Sequence, residues 1–124
     1  LALEIRKTVH VTDMSAAREL VRGALASDSC TVKLENPNRL TAKRGSQTKM
    51  RTLGGAFVNL KVLPVRLEID FVETGNHGTV EIFAASNLGV GVMLGMEEKY
   101  RDAVADLADL VVGALAPVTG EKLG

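Results

Sequence analysis

The chain has 124 residues, of which 46% are hydrophobic and 24% charged, enough for one domain with one core and too apolar for a disordered segment. Fifteen basic and fifteen acidic residues cancel, so no net charge draws it toward nucleic acid or a membrane surface. One cysteine excludes an intramolecular disulfide framework, and aromatics at 3% with no Trp are poor material for stacking on bases or sugars.

Residues 3–11 alternate, with Leu3, Ile5, Val9 and Val11 on one face and Glu4, Arg6, Thr8 and His10 on the other. Period-two alternation predicts a strand with one buried and one wet face. Thr12 and Asp13 supply N-cap oxygens, and Met14, Ala17, Leu20, Val21, Ala24 and Leu25 recur at helical spacing. A short helix is therefore expected over 13–26, ending near Ser27-Asp28. Cys30, Val32 and Leu34 alternate with Thr31, Lys33 and Glu35 in a second strand, and Asn36-Pro37-Asn38 forms a turn. Leu40 and Ala42 alternate with Arg39, Thr41 and Lys43 in a third, followed by a turn at Gly45-Ser46.

A further strand over Lys49 to Leu53 runs into Gly54-Gly55, where regularity should fail. Pro64 opens the clearest strand, with Val65, Leu67, Ile69 and Phe71 inward and Arg66, Glu68 and Asp70 outward. The run Thr74-Gly75-Asn76-His77-Gly78 predicts a hairpin turn onto a strand over Thr79 to Ala85, where Val80, Ile82 and Ala84 face inward. After a glycine-rich segment, a long helix is expected over 96–116. Tyr100, Val104, Leu107, Val111 and Leu115 form its stripe, Asp102, Asp106 and Asp109 stay on the solvent side, and Pro117 and Gly120 end it. There is no internal repeat, linker or low-complexity tract, so residues 1–124 form one domain.

The expected fold is α+β. It has a single curved antiparallel sheet of five to six strands, in the order β-α-β-β-β-β-(β)-α, with both helices packed on one face. That order resembles the helix-grip folds, which include START-type lipid-binding domains, and the half-repeat of TATA-binding-protein-like folds. START-type domains are longer and carry two helices after the first strand, where this chain has one. The stretches Asn36-Pro37-Asn38-Arg39-Leu40, Lys43-Arg44-Gly45-Ser46, Leu63-Pro64-Val65 and Asn87-Leu88-Gly89 also resemble small uncharacterised bacterial proteins. The helix-grip resemblance implies a cavity between sheet and long helix, lined by Phe71, Ile82, Tyr100, Val104 and Leu107, that would carry a small apolar ligand.

Three features suggest binding chemistry. Between Asn36 and Leu67 lie seven basic residues and no acidic one. On neighbouring strands Arg39, Lys43, Lys49, Arg51 and Arg66 would make a basic face able to hold phosphate or nucleic acid. The plainer alternative, which the lack of interleaved aromatics favours, is a solvated face with cross-strand ion pairs among Arg66, Glu68 and Glu81. The glycine run Gly89-Val90-Gly91-Val92-Met93-Leu94-Gly95 is similar in outline to a dinucleotide fingerprint. Its third glycine is one residue late and no parallel strand follows, so a tight strand-to-helix connection is expected instead. Apolar residues without clean periodicity, among them Phe57, Val58, Leu60, Val90 and Met93, suggest a subunit interface, a ligand mouth or a cap on the core.

Catalytic material is thin. His10 and His77 have no nearby carboxylate-cysteine cluster at ligand spacing, Cys30 lies on an apolar strand face, and Glu97-Glu98 favour a helix N-terminus. No cofactor or metal is expected. No apolar run approaches the roughly 20 residues that span a bilayer. Leu1-Ala2-Leu3-Glu4 lacks a signal peptide's charged start, so a cytoplasmic location is expected, and the Leu start leaves prior removal of an upstream segment open. The sequence thus points first to an interaction module, leaning non-enzymatic, that self-associates, a homodimer being one form, or docks on a partner through its apolar loops or sheet face. A carrier of a small apolar ligand comes second and a phosphate or nucleic-acid binder third.

Overall fold

A computed structural model describes residues 4–28, 30–45, 64–75, 77–86 and 97–120. Strand β1 (Glu4–Val11) is followed by helix α1 (Met14–Ser27) and strands β2 (Thr31–Asn36), β3 (Arg39–Arg44), β4 (Val65–Thr74) and β5 (His77–Ser86). Helix α2 (Glu97–Ala114) and a 3-10 turn (Ala116–Val118) complete the order. The strands form one open sheet in the order β1-β5-β4-β3-β2, with every neighbouring pair antiparallel.

Local chemistry accounts for these elements. The Asp13 carboxylate accepts a hydrogen bond from the Ala16 amide at 3.1 Å, which satisfies one of the orphan donors at the start of α1. Gly75 sits at φ +67° in the tight connection where Thr74 pairs with His77, a conformation that L side chains rarely adopt. His77 is therefore the first residue of β5 rather than part of the turn. At Gly78 a Cβ would collide with the Val72 carbonyl oxygen, so only glycine lets β4 and β5 approach there. The long helix ends at Ala114, two residues before the expected limit, because Pro117 lies in the 3-10 turn that follows.

The inner sheet face carries Val9, Val11, Leu40, Ala42, Val65, Leu67, Ile69, Phe71, Val80, Ile82 and Ala84. Onto it pack Met14, Ala17, Val21 and Leu25 from α1 and Tyr100, Val104, Leu107 and Val111 from α2. Each fully buried Leu, Ile or Phe contributes roughly 1.5–3 kcal/mol relative to exposure, so this one cluster dominates stability. Both helices share that face, as the strand patterns require. Cys30 lies just before β2 instead of within it and is half-buried. The expected strand at Lys49 to Leu53 falls outside the described residues, as do the glycine run and the apolar loop residues Phe57, Val58, Leu60, Val90 and Met93. No helix among the described residues is long and apolar enough to cross a membrane.

Candidate functional site

The outer sheet face holds the residues expected to bind phosphate. On it Arg39 meets Asp70 at 2.9 Å and Glu68 at 2.6 Å, while Arg66 meets Glu68 at 2.7 Å. Asp70 and then Glu68 hold the Arg39 guanidinium above its ordinary pKa by charge attraction and hydrogen bonding, partly opposed by desolvation. Arg6 and Arg66 flank the Phe83 ring, at 4.4 and 5.4 Å from its centroid. The strand register places Arg6, Lys33, Arg39, Lys43 and Arg66 on the same face as Glu4, Glu35, Glu68, Asp70 and Glu81. Their charges cancel. Lys43 is exposed opposite Arg66, and Lys49 and Arg51 lie outside the described residues. The cross-strand pairs expected around Glu81 form around Arg39 instead.

The residues expected to line an apolar cavity are all part of the packed core. Phe71, Ile82, Tyr100, Val104 and Leu107 are each 0–3% exposed. Within that one core, Phe71 and Tyr100 lie toward different ends of the sheet. Phe71 pairs with Val80 and lies under Arg18 of α1, whose guanidinium carbon is 5.7 Å from the ring. Tyr100 belongs to the opposite end of the sheet, because Ala103 one turn later reaches Arg44 while Val118 reaches Thr12. Burial pushes the Tyr100 phenol up to about 12, since its anion would lose solvation.

Arg44 is the functional group that sequence reasoning missed. It continues the inward series of Leu40 and Ala42, pairs with Val65, and has a side chain that is 0% exposed. One of its terminal nitrogens donates to Asp28, at the C-cap of α1, at 2.5 Å and to Asp106 of α2 at 3.0 Å. The other reaches the Ala103 carbonyl at 3.4 Å. One cation thus ties both helices to β3. Asp106, expected in open solvent, is half-exposed and reaches back to this cation. A signal was present in the two-residue step from Ala42 to Arg44, although the carboxylate partners are too distant in sequence to be read from it.

Among the described residues the most exposed large apolar side chain is Leu34 of β2. It is 52% exposed although it shares the inner face with Val32 and Leu40, because β2 is the last described strand of the sheet and α1 leaves a gap beside it. That gap is a groove of about 390 Å³ floored by Leu40 and Phe71, walled by Leu34 and rimmed by Arg18, Glu19 and Arg22. A second groove of about 390 Å³ runs along α1 past Gly23, Ala26 and Val32, and shares Leu34 and Arg22 with the first. Arg18 fixes the shape. It donates to the Pro37 carbonyl at 3.0 Å, to Asn38 Oδ1 at 3.1 Å and to Glu73 at 2.8 Å, locking α1 to the β2–β3 turn. The turn is braced by the Asn38 amide donating to Asn36 Oδ1 at 2.8 Å. Sequence reasoning placed Leu34 on an apolar face but had no means of telling that this part of the face is uncovered.

His10 is exposed on the outer face and His77 is exposed at the start of β5. Among the described residues no group of three His, Cys, Asp or Glu stands ready to hold a metal ion.

No protein-family model matches the sequence, and no curated protein matches it. Among solved structures the chain is similar to the crystal structure of TTHA0849 from Thermus thermophilus, with 8% identity and a TM-score of 0.44 over 93% of this chain and 98% of that one.

Proposed function

We propose that this domain is a small, non-enzymatic interaction module of the cytoplasm whose contact surface is the β2 edge with its adjoining groove, and that it self-associates through that surface. The observation that carries this reading is Leu34, a large aliphatic side chain half-exposed at a sheet edge and in the wall of a groove floored by Leu40 and Phe71. Apolar groups in concave, partly open sites gain most from a partner that removes water from them. The described side chains beneath α2 are buried in the core, and Arg39 and Arg66 on the outer face are engaged by carboxylates, which favours the β2 side as the contact surface.

The test is native mass spectrometry of gently purified protein, followed by sedimentation across about 1 μM to about 1 mM, the range in which modest interfaces dissociate. A dimer without adduct is expected, and Leu34→Glu should weaken it while leaving the circular dichroism spectrum unchanged. An adduct of lipid-like mass that is lost on denaturation would replace this reading with that of an apolar-ligand carrier. A bare monomer at every concentration would overturn self-association.

A further inference from the structure

We propose that β2 pairs antiparallel with β2 of a second copy, with Leu34 on the two-fold axis and Lys33 of each copy opposite Glu35 of the other. This rests on the self-association reading above and specifies its geometry.

Residues directly opposite each other in an antiparallel pair share a face, and a one-residue slip sends every side chain to the wrong side. In β2, Leu34 and Val32 face the core side, since they pair with Leu40 and Ala42 of β3. Lys33 faces outward opposite Thr41, and Glu35 shares that face, since its carboxylate accepts from the Thr41 hydroxyl at 3.3 Å. A symmetric pairing that keeps both core faces on one side must therefore place a residue, not a peptide bond, on the axis.

Two central registers satisfy that condition. With Lys33 on the axis, two ammonium groups stand directly opposite each other, which is unfavourable. With Leu34 on the axis, both ion pairs between Lys33 and Glu35 form across the junction and the two half-exposed leucines cover one another. Lys33 and Glu35 already attract within one chain, with 3.6 Å between their charged atoms, so their spacing is suited to either partner. An edge lysine normally discourages strand pairing. Here the glutamate two residues on makes the edge self-complementary in one register.

The fold also limits what can be added. A register irregularity between Leu34 and Asn36 confines the pairing to a short stretch, and such irregularities bend an edge away from longer partners. An isologous junction uses the same edge on both copies and so closes at two chains. The resulting ten-strand sheet would set the two α1 grooves on one side, facing each other across the leucine pair.

The experiment uses charge exchange, read by analytical ultracentrifugation of the wild type, Lys33→Glu, Glu35→Lys and the double exchange. Circular dichroism confirms that each surface variant is folded. Each single variant places two like-charged pairs across the junction and should weaken dimerisation by about tenfold or more. The double exchange should restore it. An equimolar mixture of the two single variants should form a heterodimer, a result that no effect within one chain can produce. If the wild type dimerises and neither single variant changes it, the β2 pairing is overturned while self-association stands. If the wild type is monomeric throughout, both are overturned.

Discussion

Along β1, the outermost described strand on one side, the chain covers one end of its own edge: Val11 bridges to Thr119, the Thr12 amide donates to the Val118 carbonyl at 2.8 Å, and the Gly120 amide donates to the His10 carbonyl at 2.7 Å. Lys7 of the same strand reaches Asp109 of α2 at 4.0 Å. Along β2, the outermost strand on the other side, the described residues leave Leu34 half-exposed beside a groove. Both strands alternate and carry charge on their outer faces. What separates them is the company they keep after folding, since the tail returns to β1. An edge closed by its own chain resists pairing with another; an edge left open is a template for it.

The strongest perturbation of this arrangement lies between the two edges. Arg44→Ala should cost roughly 3–5 kcal/mol in denaturant unfolding, because it leaves Asp28 and Asp106 without the buried cation that joins both helices to β3. Asp106→Asn should cost much less, as its side chain is 48% exposed and water replaces the lost partner. Next comes Gly78→Ala beside β1. Its Cβ would meet the Val72 carbonyl oxygen and Met14 Cε, so a loss of about 2–3 kcal/mol is expected from the same measurement.

Truncation after Val118 would bring the two edges closer in character by removing the Val11–Thr119 bridge and the Gly120 hydrogen bond, leaving only the Thr12–Val118 contact. A loss of about 1–2 kcal/mol is expected, together with species larger than a dimer in sedimentation, because the β1 edge is then more open. The smallest effect at neutral pH concerns Tyr100, the only tyrosine. Its folded pKa of about 12 lies above the ordinary value of 10.0. Between those values the folded state holds a proton that the unfolded state has released, so stability should fall as pH rises from 10 toward 12. Thermal unfolding over that window should show the slope in wild type and lack this contribution in Tyr100→Phe.

Much of this architecture was readable because each strand of the β4–β5 hairpin carries its own two-residue period, and because Asp13 and Gly75 announce their positions through local chemistry. The candidate sites were harder. Phe71 and Tyr100 looked like neighbours only while the direction of α2 along the sheet was unknown, and that direction is set by tertiary packing. Arg44 belongs to the basic run of the sequence but not to its expected exposed face, and the two-residue step from Ala42 places it inward. Lys43 and Arg66 were rightly placed on one face, but the carboxylates of Glu68 and Asp70 share it, so a basic run in sequence became a mixed ladder in space. Leu34 was assigned to the apolar face correctly; whether a helix covers a given strand of that face depends on where α1 lands.

The pairing of β1 with β5 has a consequence for how the protein is made. Glu4 meets Ala85 and Val11 meets Gly78, so β1 finds its neighbour only after the other described strands have been synthesised. Chain segments far apart in sequence pair slowly because the intervening loop must close first. Until His77 has emerged, Val9 and Val11 lack the neighbouring strand that seats β1 in the sheet, and apolar surface exposed in such an intermediate invites chaperones and proteases. The topology thus makes the last described strand the condition for seating the first one in the sheet.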